Sequence, residues 1–505
     1  MFKGNKGRGQ FILKRKSSAP SAVMDCSVKI SNDYTLWYNK PLQILPVVDG
    51  SRKKYGYIIG YPIDIQQAEL LDERVDLDIP VHQSSSVEAF EDELYKLGGR
   101  FVALQISTDG TLKRLYPDAG GALSCLYSRA KNTVASTIEI AEGINKKQVK
   151  EIESEWSERW LSARGRTGNW YPAGLSPIGD WRIVLPNHHI NFETREMPRH
   201  WPRPGETVSS LSPFDGGSRV NNSNTKRIVS EVASIIESQV CALQKREDIR
   251  MDLTAGKDSR SLLATAKPFL EKICLSVGSS SKLDVLIPTI MSRILDLPFK
   301  VNRPPDPKSV RLTGFAGEVG RAYYWNKKQN RVTPNTPVSS INPLERIGYR
   351  RQDDNDKLEQ TIQSWFSAIP ASLDAPTVLD LLYIEQRVGT TFSQVLYRSD
   401  TNYKFSLYPY NHRRIYSLMM KLPPNYRIAS QLPKDIINLK WSESGYFQFT
   451  FRKHKKKDLS LICDFLRGKK TFGDKYKNTI FVLWLLIPQY IKILIAKKLK
   501  KYYDG

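Results

Sequence analysis

Cysteine is scarce in this chain. Five residues (Cys26, Cys125, Cys241, Cys274 and Cys463) are scattered over 505 positions, an odd number with no Cys-x-x-Cys pair. That spacing gives no zinc framework and no disulfide scaffold, and it suits a reducing compartment. Histidine is nearly as scarce, at six. His188 and His189 are adjacent, and adjacent side chains diverge on any regular element, so they make poor co-ligands. No apolar run reaches the roughly 20 residues that a membrane-spanning helix needs. The most apolar stretch, Ile480–Ile487, is interrupted by Pro488, Gln489 and Lys492. The N-terminus is basic but lacks the apolar core of a signal peptide. No internal repeat is present. Apolar content of 40% and charged content of 25% belong to a globular protein, which excludes collagen-like and low-complexity readings. The length calls for two or three domains.

Acid is missing chiefly from the two ends, and the net charge is +24. Residues 1–16 carry Lys3, Lys6, Arg8, Lys14, Arg15 and Lys16 without one carboxylate. Glycine, serine and proline interleave them, so residues 1–25 are read as a basic flexible leader. Residues 441–505 are read as a basic tail with an apolar helix. Its lysines, Lys497, Lys498, Lys500 and Lys501 among them, close the apolar run. Such a helix rests either on an anionic membrane surface or on the protein's own core. A basic chain also suits nucleic acid, and a charge run can serve solvation alone.

Between these ends the pattern changes once. Residues 26–210 read as mostly β: Tyr34–Tyr38, Tyr55–Gly60 and Phe101–Ile106 are short aromatic or alternating runs. Ser107-Thr-Asp-Gly110 is a hairpin turn, because Asp-Gly supplies a positive φ cheaply. Residues 198–223, rich in Pro, Gly, Ser and Asn, read as a linker. From 224 onward helix and strand alternate. Ile228, Val232, Ile235, Ile236 and Val240 fall at helical spacing, followed by strands at Ile249–Leu253 and Lys272–Val277 and helices at 261–270 and 286–295. Alternation of this kind predicts βαβ units and a parallel sheet. Residues 355–425 are mainly helical.

Thr254-Ala-Gly-Lys-Asp-Ser259 lies between the first of these strands and its helix. Small residues there let backbone N–H groups approach an anion, and the helix N-terminus adds positive potential. Thr254, Ala255, Gly256, Lys257, Asp258 and Ser259 are therefore candidates for holding phosphate, with Asp258 a ligand for Mg2+. The Walker A pattern is absent.

This hexapeptide resembles S-G-G-x-D-S, the pyrophosphate loop of N-type ATP pyrophosphatases. Ser276-Val-Gly278, Asp284, Leu312-Thr-Gly-Phe-Ala-Gly-Glu318, Arg321 and Tyr323-Tyr-Trp325 extend the resemblance to the asparagine synthetase family, which includes β-lactam synthetases and lasso-peptide cyclases. Tyr408-Pro-Tyr-Asn-His-Arg-Arg414 is similar to that family's P-F-x-D segment, with His412 where the acid stands. Gly98-Gly-Arg-Phe101, Tyr116-Pro-Asp-Ala-Gly-Gly121, Leu126-Tyr-Ser128 and Leu185-Pro-Asn-His188 resemble its glutaminase-type front domain.

The resemblance implies an α/β protein. Its front part would be a degenerate class II glutaminase-like α+β domain over 26–210. An ATP-pyrophosphatase domain with a parallel sheet and a helical C-terminal part would follow over 224–440. It implies ATP and Mg2+ as cofactors. Val277, Gly278, Thr313 and Gly314 join loop 254–259 around the nucleotide, and Asp258 and Glu318 hold the metal. Glu385 orients or deprotonates an amine, and Lys434 supports the second half of the reaction.

Two departures bear on the chemistry. The glutaminases of this family use an N-terminal cysteine, whereas Phe2 stands here and the first cysteine is Cys26. Phe315 stands where asparagine synthetases carry Glu, and it has no proton to exchange. The expected activity is therefore ATP-dependent amide formation through an acyl-adenylate, without glutamine hydrolysis. The substrates would be small-molecule or peptide carboxylates and amines, in the cytoplasm or peripheral to a membrane. The alternatives are a non-catalytic scaffold and an RNA-modifying adenylating enzyme. Nucleic acid is not the expected partner, since the β-rich front half and the absence of a paired-cysteine relay speak against the last.

Overall fold

The computed structural model describes residues 8–15, 20, 22, 24–49, 53–79, 86–145, 147–149, 151–152, 174–176, 178–206, 223–278, 282–325, 331–347 and 356–446. It is a mixed α/β structure with an antiparallel sheet and a mainly antiparallel sheet, in which only strands Ile44–Asp49 and Val75–Leu77 pair in parallel, in the first half and a parallel sheet in the second. The tail expected on a membrane or on the core lies outside the described residues, apart from 441–446. Among the described residues no helix is long and apolar enough to cross a membrane.

The first sheet is built from β1 (Phe11–Arg15), β2 (Cys26–Lys29), β3 (Tyr34–Tyr38), β10 (Leu126–Ser128), β11 (Thr133–Ala135) and β12 (Trp181–Ile183), in the order β12-β10-β11-β1-β3-β2. The second contains β4 (Ile44–Asp49), β5 (Lys54–Asp64), β6 (Glu69–Leu70), β7 (Val75–Leu77), β8 (Leu97–Ile106), β9 (Leu112–Pro117) and β13 (Ile190–Asn191). The hairpin expected at 107–110 joins β8 to β9, with Gly110 at φ +81°. Helix α1 (Val87–Lys96) starts on Ser86, whose side chain accepts from the Ala89 N–H. It packs Phe90 and Leu94 on one face of the second sheet with Phe101, Ala103 and Tyr116.

Two readings need correction here. The leader expected to be flexible contains β1, which lies inside the first sheet between β11 and β3. Phe11, Ile12 and Leu13 are at most 2% exposed. Three such side chains are worth roughly 1.5–3 kcal/mol each in burial, which outweighs the disordering tendency of the flanking charges. The expected linker at 198–223 is anchored at its start: Trp201 and His200 are buried, and His200 and Trp201 donate backbone bonds to the Asn187 carbonyl.

Helix α2 (Ser223–Gln244) has the predicted register, with Ile228, Val232, Ile236 and Val240 buried. It ties the halves together. Gln239 accepts from the Gly99 N–H and donates to the Pro409 carbonyl, while Ser238 donates to the Ile65 carbonyl. The parallel sheet comprises β14 (Ile249–Asp252), β15 (Ile273–Val277), β16 (Phe299–Val301), β17 (Val310–Leu312) and β18 (Phe405–Leu407), ordered β16-β15-β14-β17-β18. All four pairings are parallel. The sheet grows outward from β14 in one direction and then from β17 in the other, so the order reverses between these two strands. Ligands of open parallel sheets lie outside the carboxyl ends of the strands at such a reversal.

Candidate functional site at the carboxyl ends of β14 and β17

Loop 254–259 leaves β14 and enters helix α3 (Lys257–Thr265), whose N-cap is Gly256. The loop is held by its own side chains. The Thr254 and Ser259 hydroxyls lie 3.0 Å apart, the Thr254 N–H donates to the Ser259 hydroxyl, and the Gly256 N–H donates to the Thr254 hydroxyl. The Ala255 N–H donates to the Asp284 carboxylate at 3.2 Å. Asp284 belongs to helix α4 (Lys282–Leu295), and it puts a negative oxygen on the loop backbone.

The turn after β17 meets this loop without a gap. A Cβ on Gly314 would lie 2.7 Å from the Ser259 nitrogen, and one on Gly317 would lie 2.6 Å from a carboxylate oxygen of Asp258. Only glycine permits both approaches. Thr313 is 2% exposed, and its hydroxyl has no hydrogen-bond partner among the described residues. Glu318 and Arg321 share one tight helical turn, Gly317–Arg321. It is flanked by Ala316 at φ +70° and Ala322 at φ +55°. Left-handed backbone at non-glycine residues is strained and collects at functional sites.

Asp258 and Glu318, the two expected metal ligands, are brought together on Arg321. Its guanidinium bonds the Asp258 carboxylate and lies 3.2 Å from Glu318. The Tyr383 hydroxyl donates to the other Glu318 oxygen at 2.8 Å. Burial pushes the Asp258 carboxyl up to about 7, with Glu318 adding to the shift and Arg321 opposing it. Among the described residues no group of three or more His, Cys, Asp or Glu side chains is arranged to hold a metal. Val277 ends β15, and its carbonyl accepts from the Asn302 N–H; among the described residues nothing lies within 4 Å of a Cβ placed on Gly278.

The two residues assigned to the amide-forming step are not part of this cluster. Later helices include α5 (Ala375–Tyr383), α6 (Arg413–Met420) and α7 (Leu432–Trp441), and Lys434 in the first turn of α7 donates to Gln431. Glu385 is fully buried and faces the front half of the molecule. Both its oxygens accept from Arg199, at 2.9 Å for the second, and it also accepts from Asn187 and Trp365. Burial raises the Glu385 carboxyl, but the Arg199 charge and these bonds outweigh it and hold the group below the usual carboxylate range. The expectation that Glu385 handles an amine does not fit this placement, because its lone pairs are committed and water is excluded.

Further buried contacts join the halves. Arg100 pairs with Asp400 at 2.6 Å, with side chains 0% and 4% exposed. Asp118 accepts from the N–H groups of Phe101, Gly120, Ala122 and Leu123 and from the Asn411 amide. His412 caps α6 by accepting from the Arg414 N–H, and its other ring nitrogen meets the Lys96 carbonyl. The segment 408–414 therefore acts as a clamp on the front half. Its polar pattern in sequence carries no sign of its partners, which lie some 300 positions away. No protein-family model matches the chain, and no curated protein matches it either.

Proposed function

We propose that this protein binds Mg2+ and ATP at the carboxyl ends of β14 and β17 and forms amides by activating a carboxylate as its adenylate, without hydrolysing glutamine. The observation that carries this is the meeting of loop 254–259 with turn 313–318 at the strand reversal, which brings Asp258 and Glu318 onto one arginine. The residues fit the ligand in several ways. Asp284 lends the loop a negative oxygen of the kind a phosphate would supply. The Thr313 hydroxyl is buried and has no partner among the described residues. Two carboxylates suit Mg2+, which usually keeps water and phosphate oxygens for the rest of its shell. The metal would offset the charge that gathers on the leaving pyrophosphate.

In this reading a carboxylate oxygen attacks the α-phosphorus, the bond to the bridging oxygen breaks, and pyrophosphate leaves with the electron pair. An amine then attacks the acyl carbon, AMP departs, and the amine's proton passes to solvent. Loop 254–259 holds the phosphates, and Arg321 exchanges its hold on Asp258 and Glu318 for the anionic ligand. Most of the catalysis is positioning and charge stabilisation.

The front half supports the absence of glutamine chemistry. Cleavage after Asp25 would free Cys26 but also remove β1 from the middle of its sheet. Cys125 is fully buried, and burial drives its thiol far above the usual range, so no thiolate forms there. A front domain of glutaminase type kept for its fold alone is consistent with both facts. A scaffold without catalysis is the second reading, favoured by Phe315, whose ring stacks on Phe392 at 4.5 Å and offers no proton.

Calorimetric titration with Mg2+ and a non-hydrolysable ATP analogue tests the nucleotide site. Asp258→Ala should weaken binding at least tenfold, and equal binding by both proteins rejects the assignment. Release of AMP and pyrophosphate with carboxylate and amine supplied separates the enzyme from the scaffold.

A further inference from the structure

Tyr383, which holds Glu318, ends α5, and the chain continues from it as a π-helical stretch, Ile384–Phe392. Wide turns of this kind are rare and favour functional sites. Residues two apart on a helix do not share a face. Glu385 is spent on the front half, and Arg387 emerges on a different side. The Arg387 guanidinium lies between two rings, 5.4 Å from the centre of Tyr323 and 5.8 Å from that of Phe392. It makes no hydrogen bond or ion pair among the described residues. It is only partly buried, and it feels the charge of Glu318.

Its surroundings are aromatic. Phe392 and Phe315 stack face to face, and both remain partly open to solvent. Tyr323 is 37% exposed, one of few large apolar side chains so exposed among the described residues. The Tyr323 ring lies 4.9 Å from that of Tyr383, whose hydroxyl bonds Glu318, so this wall adjoins the carboxylates. A guanidinium between ring faces keeps its planar fork available for a carboxylate. The rings beside it offer stacking area but no polar group for a hydrophilic side chain.

We infer that Arg387 receives the carboxylate of the acid to be activated and that Phe315, Phe392 and Tyr323 select acids carrying an aromatic ring. This rests on the nucleotide reading above and names its substrate class. The ring stacks on the Phe315–Phe392 pair, and the carboxylate turns toward the α-phosphorus beside Asp258 and Glu318. A short dicarboxylic amino acid leaves the wall uncovered and its own second charge unpaired.

The experiment uses the full chain with 3-phenylpropanoate and tryptophan as aromatic probes and acetate, aspartate and glutamate as controls. Binding is followed by saturation-transfer NMR with Mg2+ and the ATP analogue present, and activation by exchange of labelled pyrophosphate into ATP. Aromatic acids should bind and support exchange, and the controls should not. Arg387→Gln should raise the KM for the aromatic acid roughly 10–100-fold through loss of a charge-assisted pair. Phe392→Ala should raise it roughly 2–10-fold through loss of stacking. Both variants should bind the ATP analogue as the wild type does and melt near its temperature. Nucleotide binding without aromatic-acid binding overturns this inference alone, as does a weaker hold on nucleotide in Arg387→Gln, which would make Arg387 a phosphate ligand. Exchange with aspartate but not with aromatic acids also overturns it. Failure to bind nucleotide overturns the parent reading instead.

Discussion

Glu385→Gln removes one charge and almost no volume, and it separates two roles for the same residue. In the structure the Glu385 carboxylate balances Arg199, whose side chain is 7% exposed. The substitution strands that guanidinium in the interior. Breaking a buried pair from one side costs about 3–5 kcal/mol, because the remaining charge has neither water nor a counter-ion. At roughly 2–4 °C per kcal/mol for a body of this size, the melting temperature should fall by about 6–20 °C. Differential scanning calorimetry at pH 7.5 reads the shift. The double replacement Arg199→Met with Glu385→Leu removes both charges and should recover most of the loss. It should retain a deficit of about 1 kcal/mol for each donor left over on Asn187 and Trp365. If Glu385→Gln melts with the wild type yet abolishes AMP release, the ion-pair reasoning is wrong, and Glu385 acts on substrate after all.

Gly314→Ala should prevent loop 254–259 from seating, because the added methyl falls on the Ser259 nitrogen; a loss of about 1–3 kcal/mol and of nucleotide binding together is expected by thermal shift with and without ligand. A chain beginning at residue 16 should expose the first sheet and fail to melt cooperatively in a thermal scan that the full chain passes with one transition. Burial depresses His188, His189 and His412 each to about 4, so they stay neutral in the fold while the unfolded chain takes up protons below about 6.5. These imidazoles should therefore lower stability as pH falls from 6.5 to 4, by up to about 3 kcal/mol each, while the carboxyls of Asp258 and Asp380, raised by burial to about 7 and about 6, work the other way; the three imidazoles outweigh the two carboxyls, seen as a falling urea midpoint. His412→Asn, which keeps an N-cap side chain, should make that decline shallower.

The elements legible in the sequence were those with a long period or a strong turn signal. Ile228 to Val240 announces a helix over four turns, and Asp109-Gly110 announces its hairpin. Strand β1 escaped because its apolar run, Phe11-Ile-Leu, is short, buried on both sides and set among lysines and glycines; a strand covered on both faces shows no alternation. Strands β16 and β18 have three residues each, too few for any periodicity. The place of loop 254–259 between β14 and a helix could be read because a short strand, small residues and a helix start follow one another in sequence. Arg321 was within reach, three positions after Glu318 on one turn. The work of Glu385 was not, since Arg199 lies 186 positions earlier and nothing in either neighbourhood points to the other. Arg387 falls between these cases: its charge is visible, but the rings on either side come from positions 323 and 392.

The parallel sheet has a consequence for how the chain is made. Strand β17 ends at Leu312, and its outer neighbour β18 begins only at Phe405. A ribosome adding about 5–20 residues per second needs several seconds or more to cover that distance. Throughout that interval one edge of a four-stranded sheet, Val310-Arg-Leu312, has its hydrogen-bonding groups unpaired. An open edge is a template for any other extended chain. The clamp at 408–414 emerges immediately after β18, so edge closure and the clamp's bonds to the front half follow within about 0.5–2 s of each other. A slow or paused passage through 313–404 should therefore lower the yield of intact protein more than an equal pause anywhere before residue 249.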